Sequence, residues 1–224
     1  IEQKNLEIGP TTELKAVLSH EKTTKHESWR CEVLYLEYDG ATQNYTAFGP
    51  LLTAAVRIEN TLPSIPVLLI TPESGNTAQN FTCRVDNVND ADGDALTYMY
   101  IWSYNPGSGS FTEMREIGPT AAASDTLPNF LTQKNQQWMC KVIVNDGEAV
   151  VETSSLSVRT YNTYPSSPQI ELKGAGQNPT EPITTDSLVC RIIQASFDPD
   201  EDPALNNGER VDTVRYKYKW FKRK

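Results

Sequence analysis

Four cysteines and two aspartate-rich runs are the residues of this chain best placed to do chemistry. Cys31, Cys83, Cys140 and Cys190 can pair as disulfides, lie reduced in apolar surroundings, or hold a metal. Zinc is disfavoured, because no cysteine pair has Cys-x-x-Cys spacing and the histidines are only His20 and His26. The run Asn89-Asp90-Ala91-Asp92-Gly93-Asp94 sets three carboxylates at alternate positions, able to converge on a hard cation such as calcium. Asp198, Asp200 and Asp202, with Glu201 among them, repeat it. Neither is an EF-hand: the twelfth position counted from Asp90 is Ile101, where that loop needs Glu. Asp, Asn and Gly are also common turn formers whose side chains satisfy nearby backbone donors. A calcium site and a structural turn are both open.

Other chemistry finds little support. No Gly-x-Ser-x-Gly elbow and no phosphate-cradling glycine loop occurs, and His20 and His26 lie in a polar stretch. We read no enzyme here. A formal charge of −9 argues against nucleic acid, which attracts clustered Lys and Arg. The local exception is Arg215, Lys217, Lys219, Lys222, Arg223 and Lys224, alternating with Tyr216, Tyr218 and Trp220. On a strand, that alternation puts bases on one face and aromatics on the other. This is a solvated face over a buried one, or a basic docking stripe. Asn44-Tyr45-Thr46 and Asn80-Phe81-Thr82 are glycosylation sequons. No apolar run is long enough to span a bilayer.

The elements that hold these residues come in repeats. Glu7-Ile8-Gly9-Pro10-Thr11 returns as Glu116-Ile117-Gly118-Pro119-Thr120, and Trp29-Arg30-Cys31 as Trp138-Met139-Cys140. Residues 7–33 match 116–142 at eleven of twenty-seven positions without a gap, which marks an internal repeat. Asn60-Thr61-Leu62-Pro63-Ser64-Ile65-Pro66 returns as Asn162-Thr163-Tyr164-Pro165-Ser166-Ser167-Pro168. Cys83-Arg84-Val85 returns as Cys190-Arg191-Ile192, and Tyr98-x-Tyr100-x-Trp102 as Tyr216-x-Tyr218-x-Trp220. The blocks predict one complete module over 61–163, the later half of a module over 1–60, and the earlier half over 164–224.

Short segments parted by Pro, Gly, Asn and Asp predict an all-β module with almost no helix. Strand A is expected near Pro66–Thr71, B near Asn80–Val85 and C near Thr97–Tyr104. A further strand follows near Thr112–Ile117, then E near Asp125–Leu131, F near Gln137–Asn145 and G near Ala149–Thr160. Asp146-Gly147 is a hairpin signal, and Asp39-Gly40 takes its place in the first module. The aspartate-rich loop, the turn carrying Asp146 and the linker at Glu59 and Asn60 are expected at one end of the sandwich. Calcium there would neutralise crowded charge and stiffen the joint. Twice-prolined linkers act as semi-rigid spacers.

With Trp102 between Cys83 and Cys140, the module resembles immunoglobulin domains. More closely, its Asp-rich loop, Tyr-x-Tyr-x-Trp strand, Trp-x-Cys strand and Asn-Asp-Gly turn resemble the tandem Ig-like domains of large bacterial and archaeal surface or secreted proteins. The resemblance implies tandem Ig-like β-sandwiches with a Cys83–Cys140 disulfide, and Trp102, Trp138, Trp29 and Trp220 as core aromatics. Half of a β-sandwich leaves its inner face uncovered, so 164–224 is expected to pack with 1–60 of a neighbouring copy, whether or not a peptide bond joins them, with Cys190 bridging to Cys31 of that copy. Disulfides imply an extracellular or cell-surface location. The expected role is a filament, sheath or surface layer; the alternative is an adhesin whose loops bind a glycan or a protein. We expect this chain's partner to be itself, either as a copy or as neighbours in a longer array.

Overall fold

The computed structural model describes residues 6–176, 178–201 and 214–222. Two compact units divide the chain: the stretch up to Leu62 together with Asp90–Ala95, and Pro63–Asn89 together with everything from Leu96 on. Regular structure in both is β-strand, broken only by short 3-10 turns.

In the first unit, β1 (Ser28–Trp29), β2 (Glu32–Asp39), β3 (Asn44–Leu52) and β4 (Val56–Arg57) form two antiparallel pairs, β1 with β4 and β2 with β3. Tyr35 stacks on Phe48 across the hairpin at 5.4 Å, and Tyr38 meets Tyr45 at 5.0 Å. Every residue of β2 and β3 is nevertheless exposed. The turn closes as expected at Asp39, whose carboxylate accepts from Ala41 N–H and Thr42 Oγ1. The bond from Thr42, then that from Ala41, holds the Asp39 pKa below its ordinary value. The left-handed residue in this turn is Gln43, at φ +56°, and not Gly40.

The second unit contains the complete module. One sheet orders β10 (Ser124–Leu127), β7 (Phe81–Asp86) and β5 (Val67–Thr71). The other runs β6 (Ser74–Asn76), β13 (Val158–Tyr161), β11 (Gln137–Asn145), β8 (Thr97–Asn105) and β9 (Thr112–Thr120), with β12 (Val150–Ser154) also on β11. Strand β11 shows why these segments are strands: Trp138, Cys140, Val142 and Val144 are fully buried and the residues between them are not. That is the period of two that pleating imposes. Opposite them, Ile70, Phe81, Cys83 and Val85 line the inner face of the first sheet. Cys83 is disulfide-bonded to Cys140 across the sheets, and Cys140 faces Trp102 in the ladder. Two sheets stapled face to face over a tryptophan make an Ig-like β-sandwich.

In this module two strand expectations need correction and one strand was not anticipated. The predicted E strand stops at Leu127, since Pro128 follows and the chain turns through a 3-10 segment at Asn129–Leu131. The predicted G strand is split between β12 and β13, because Ser155 leaves the ladder. Its Oγ accepts the Cys140 N–H at 2.9 Å while its own N–H donates to Cys140 O. Thr53 does the same for Cys31 in the first unit. Strand β6 was not anticipated; it is three residues long and pairs in parallel with β13.

Beyond the complete module, β14 (Gln169–Gly174) and β15 (Leu188–Gln194) pair with Leu172 opposite Cys190, the register that Ile70 and Cys83 keep in β5 and β7. Residues 214–222, expected as a strand, join no ladder. Trp220, expected in a core, is 58% exposed where Trp102 is at 0%. Among the described residues of 164–222 there is no second sheet for Trp220 to meet.

Replacing Cys83 and Cys140 together by Ala is expected to cost about 2–4 kcal/mol, read as a lower urea midpoint by tryptophan fluorescence. Tyr100 supplies a second test. It is fully buried, its hydroxyl donates to Ala122 O at 2.8 Å, and burial, then Tyr98 and Asp125, push its pKa up. A fold that holds an acid neutral keeps this stability below the unfolded value of about 10 and loses it as pH rises above. Tyr100→Phe should flatten the fall of the midpoint above that pH.

Candidate functional site

The aspartate-rich runs lie where a strand ends and the chain must turn, and Asx chemistry explains their local shape. Asp90 Oδ1 accepts the N–H of Asp92 at 2.8 Å and of Asp94 at 3.4 Å. Gly93, at φ +80°, gives the turn a left-handed residue. In the later run, Asp198 Oδ1 accepts the Asp200 N–H at 2.9 Å. In each case the first carboxylate closes a turn that aims the second away from the strand.

That second carboxylate holds the linker. Asp92 Oδ2 accepts the Thr61 N–H at 2.7 Å, and Asp200 Oδ2 accepts the Thr163 N–H at 2.8 Å. Three residues on, the serine of each linker makes a two-way contact with the loop. Ser64 N–H donates to Asn89 O and its Oγ accepts the Asn89 N–H; Ser166 does the same with Phe197. Each Asn-Thr-x-Pro-Ser linker is thereby clasped by the loop that follows it in sequence. Charge-assisted bonds to backbone donors are stronger than neutral ones.

The two clasps differ in their surroundings. In the second unit Asp198 and Asp200 are buried, and Asp200 Oδ1 accepts from Thr77 Oγ1, which also bonds Thr163 Oγ1 at 2.8 Å. In the first unit, Lys25 Nζ lies 2.5 Å from Asp94 Oδ2 and 3.0 Å from Asn60 Oδ1. Asp202 falls outside the described residues. Asp146, in the second unit, sits at the β11–β12 turn, its Oδ1 accepting from Glu148 and Ala149 N–H; Gly147 there has φ +99°.

As a calcium loop, the first run offers Asp90 Oδ2, which is buried without a hydrogen-bond partner. The other bonded oxygens already hold N–H donors or the Lys25 ammonium, which calcium would have to displace. Lys25 and the linker serines were not singled out from sequence. The signal was there, since Lys25 aligns with Lys134 and Ser64 with Ser166.

The remaining candidates are dispersed. Cys31 is exposed and Cys190 half-buried, and neither is disulfide-bonded within the described residues. Trp29 Nε1 donates to Glu27 at 3.0 Å and Trp138 Nε1 to Gln136 at 3.1 Å, the same contact at matching positions. Trp102 Nε1 donates to Asp125, which Arg115 also pairs. Asn44 is exposed at the β2–β3 turn; Asn80 is exposed and its Oδ1 accepts from Asn129 N–H. Among the described residues no helix is long and apolar enough to cross a membrane.

No protein-family model matches the chain, and no curated protein matches it. Among solved structures it is similar to the crystal structure of chicken CNTN1 FN1–FN3 domains, at 12% identity and TM-score 0.30. The match covers 74% of this chain and 65% of that one.

Asp200→Ala should leave the Thr163 N–H unmet and the Thr77 hydroxyl with Thr163 Oγ1 alone, at about 1–3 kcal/mol. The expected readout is faster amide exchange at 163–166 with protection unchanged along β11. For the metal, the clasp predicts equal melting temperatures in excess chelator and in calcium; a saturable rise with calcium would establish a calcium loop.

Proposed function

We propose that this chain is a non-catalytic, extracellular or cell-surface structural protein that builds a filament, sheath or surface layer from disulfide-stapled Ig-like modules. In this reading the half-modules are completed by a neighbouring copy. One observation carries it: the chain presents, uncovered, two halves of the face pair that its own complete module buries. Val33 and Tyr35 stand where Val142 and Val144 are sealed, and Leu172, Tyr218 and Trp220 where Ile70, Tyr100 and Trp102 are sealed. Exposed apolar faces of that extent mark interaction surfaces. The inner face of a half-sandwich is covered well only by the other half.

The Cys83–Cys140 disulfide supports this reading, since such bridges persist in oxidising compartments. Cys31 and Cys190 match Cys140 and Cys83 in position, so a completed sandwich brings them together as a bridge between copies. The linker clasps fix each following loop to its linker, which suits a stack of set geometry.

A second reading, an adhesin that grips a glycan or protein through its loops, draws on the β2–β3 hairpin. It continues three cross-strand pairs beyond the position matching the tip of β11–β12, and it carries exposed Tyr38 and Tyr45 there.

Sedimentation velocity over a dilution series separates the two. The structural reading expects species that are multiples of 25.0 kDa, growing with concentration and dissociating more readily in reductant. A 25.0 kDa species at every concentration would overturn it and leave the adhesin to be tested by glycan binding.

A further inference from the structure

We infer that the strand carrying Tyr216, Tyr218 and Trp220 of one copy inserts between residues 7–11 and β2 of a second copy, in a register set by a Glu7–Lys219–Glu32 charge triad. This rests on the proposal above and adds to it a specific seat and a selection rule.

The complete module supplies the template. There β8 lies between β9 and β11, with Tyr98 opposite Thr120, Tyr100 opposite Ile117 and Ile101 opposite Glu116 on one side. On the other side Trp102 faces Cys140, Ile101 faces Lys141 and Tyr100 faces Val142. Carried through the repeat, Tyr216 faces Thr11 and Tyr35, Tyr218 faces Ile8 and Val33, and Trp220 faces Leu6 and Cys31. Every one of these positions is aromatic, aliphatic or a small hydroxyl or thiol, as an inner face requires. In the chain alone Tyr218 is 53% exposed, where Tyr100 is at 0%.

A glycine marks the seat independently. Gly118 has φ +129°, and a Cβ there would lie 2.5 Å from Tyr98 O and 2.9 Å from Met99 Cα. Only glycine lets β9 come that close to β8. Gly9 holds the same conformation, φ +127°, yet a Cβ there would meet only Thr11 N, at 3.4 Å. The first unit therefore carries the close-approach glycine of a strand neighbour that its described residues do not supply.

Charge then selects the occupant. Lys219 alternates with Tyr218 and Trp220, so it lies on the outer face, and both of its cross-strand neighbours in this register are acidic, Glu7 and Glu32. At the matching place in the complete module a neutral Ile101 stands between Glu116 and Lys141. Glu7 keeps the acid of Glu116, while the other flank (Glu32 for Lys141) and the centre (Lys219 for Ile101) have changed in compensating directions. Directly opposed unlike charges stabilise a sheet and like charges destabilise it. The inserted strand is favoured here and disfavoured one residue out of register, where its aromatics would turn outward.

The test uses the full chain and measures the concentration at which assemblies dissociate. Lys219→Glu should raise it about tenfold, as should Glu7→Lys with Glu32→Lys. All three substitutions together should return it to within about threefold of the unchanged protein, since the triad is then reversed and not removed. Survival of the Cys83–Cys140 bridge and an unchanged unfolding midpoint of the complete module show that each variant folds, and rescue by the triple variant shows it independently. Association of the unchanged chain that is indifferent to all these charges would overturn the register while sparing the proposed assembly. Absence of association in the unchanged chain would overturn both.

Discussion

The burial of two apolar sheet faces against each other, fixed by the Cys83–Cys140 bridge, is the constraint on which the rest of this structure depends. Around the bridge lie Trp102 and Trp138, both without solvent exposure, and each has its indole N–H satisfied by a side chain close at hand. A buried indole costs little only on that condition. The backbone of Cys140 is held in the same way, by Ser155 where the ladder is interrupted. Thr53 repeats that contact at Cys31. The first unit therefore repeats the local contacts of one sheet of that sandwich, cysteine included. The complete module gains about 1.5–3 kcal/mol for each large side chain sealed by facing its sheets, and in the proposed assembly the exposed faces of the first unit and of 164–222 gain the same from each other.

Much of this was legible because strands with one buried face write their burial into the sequence. The limits of β5, β7, β8 and β11 follow alternation to within a residue or two, and the repeat locates the cysteines and tryptophans without reference to coordinates. The failures occurred where backbone contacts override pattern. The split of the expected G strand turns on one serine hydroxyl reaching a distant N–H, and β6 is too short to show a period. Trp220 has a core residue's type and spacing, yet whether it is buried depends on atoms outside its own half-module. Sequence reads which face is apolar; it does not read what covers it.

The aspartates show the same division. Their alternate spacing was read as calcium ligation or as a turn, and most of the observed contacts are with backbone N–H groups. A chain with a formal charge of −9 can bring carboxylates into a joint if each meets a donor there, and a linker's free amides are such donors. The matched pairs Thr61 with Asp92 and Thr163 with Asp200 explain why linker and loop recur together in the repeat. No spacing rule could have paired a backbone N–H with a side chain more than thirty residues away.

Completion of the half-modules by a neighbouring copy is the central claim, and bridge mapping in mixed-isotope material tests it most directly. Light and nitrogen-15-labelled chains would be assembled together, digested without reduction and read by mass spectrometry. The expected result is Cys83 linked to Cys140 within one label, and Cys31 linked to Cys190 in light–heavy pairs as often as in like pairs. Assemblies in which Cys31 and Cys190 both react as free thiols, or are linked only within one label, would contradict the account.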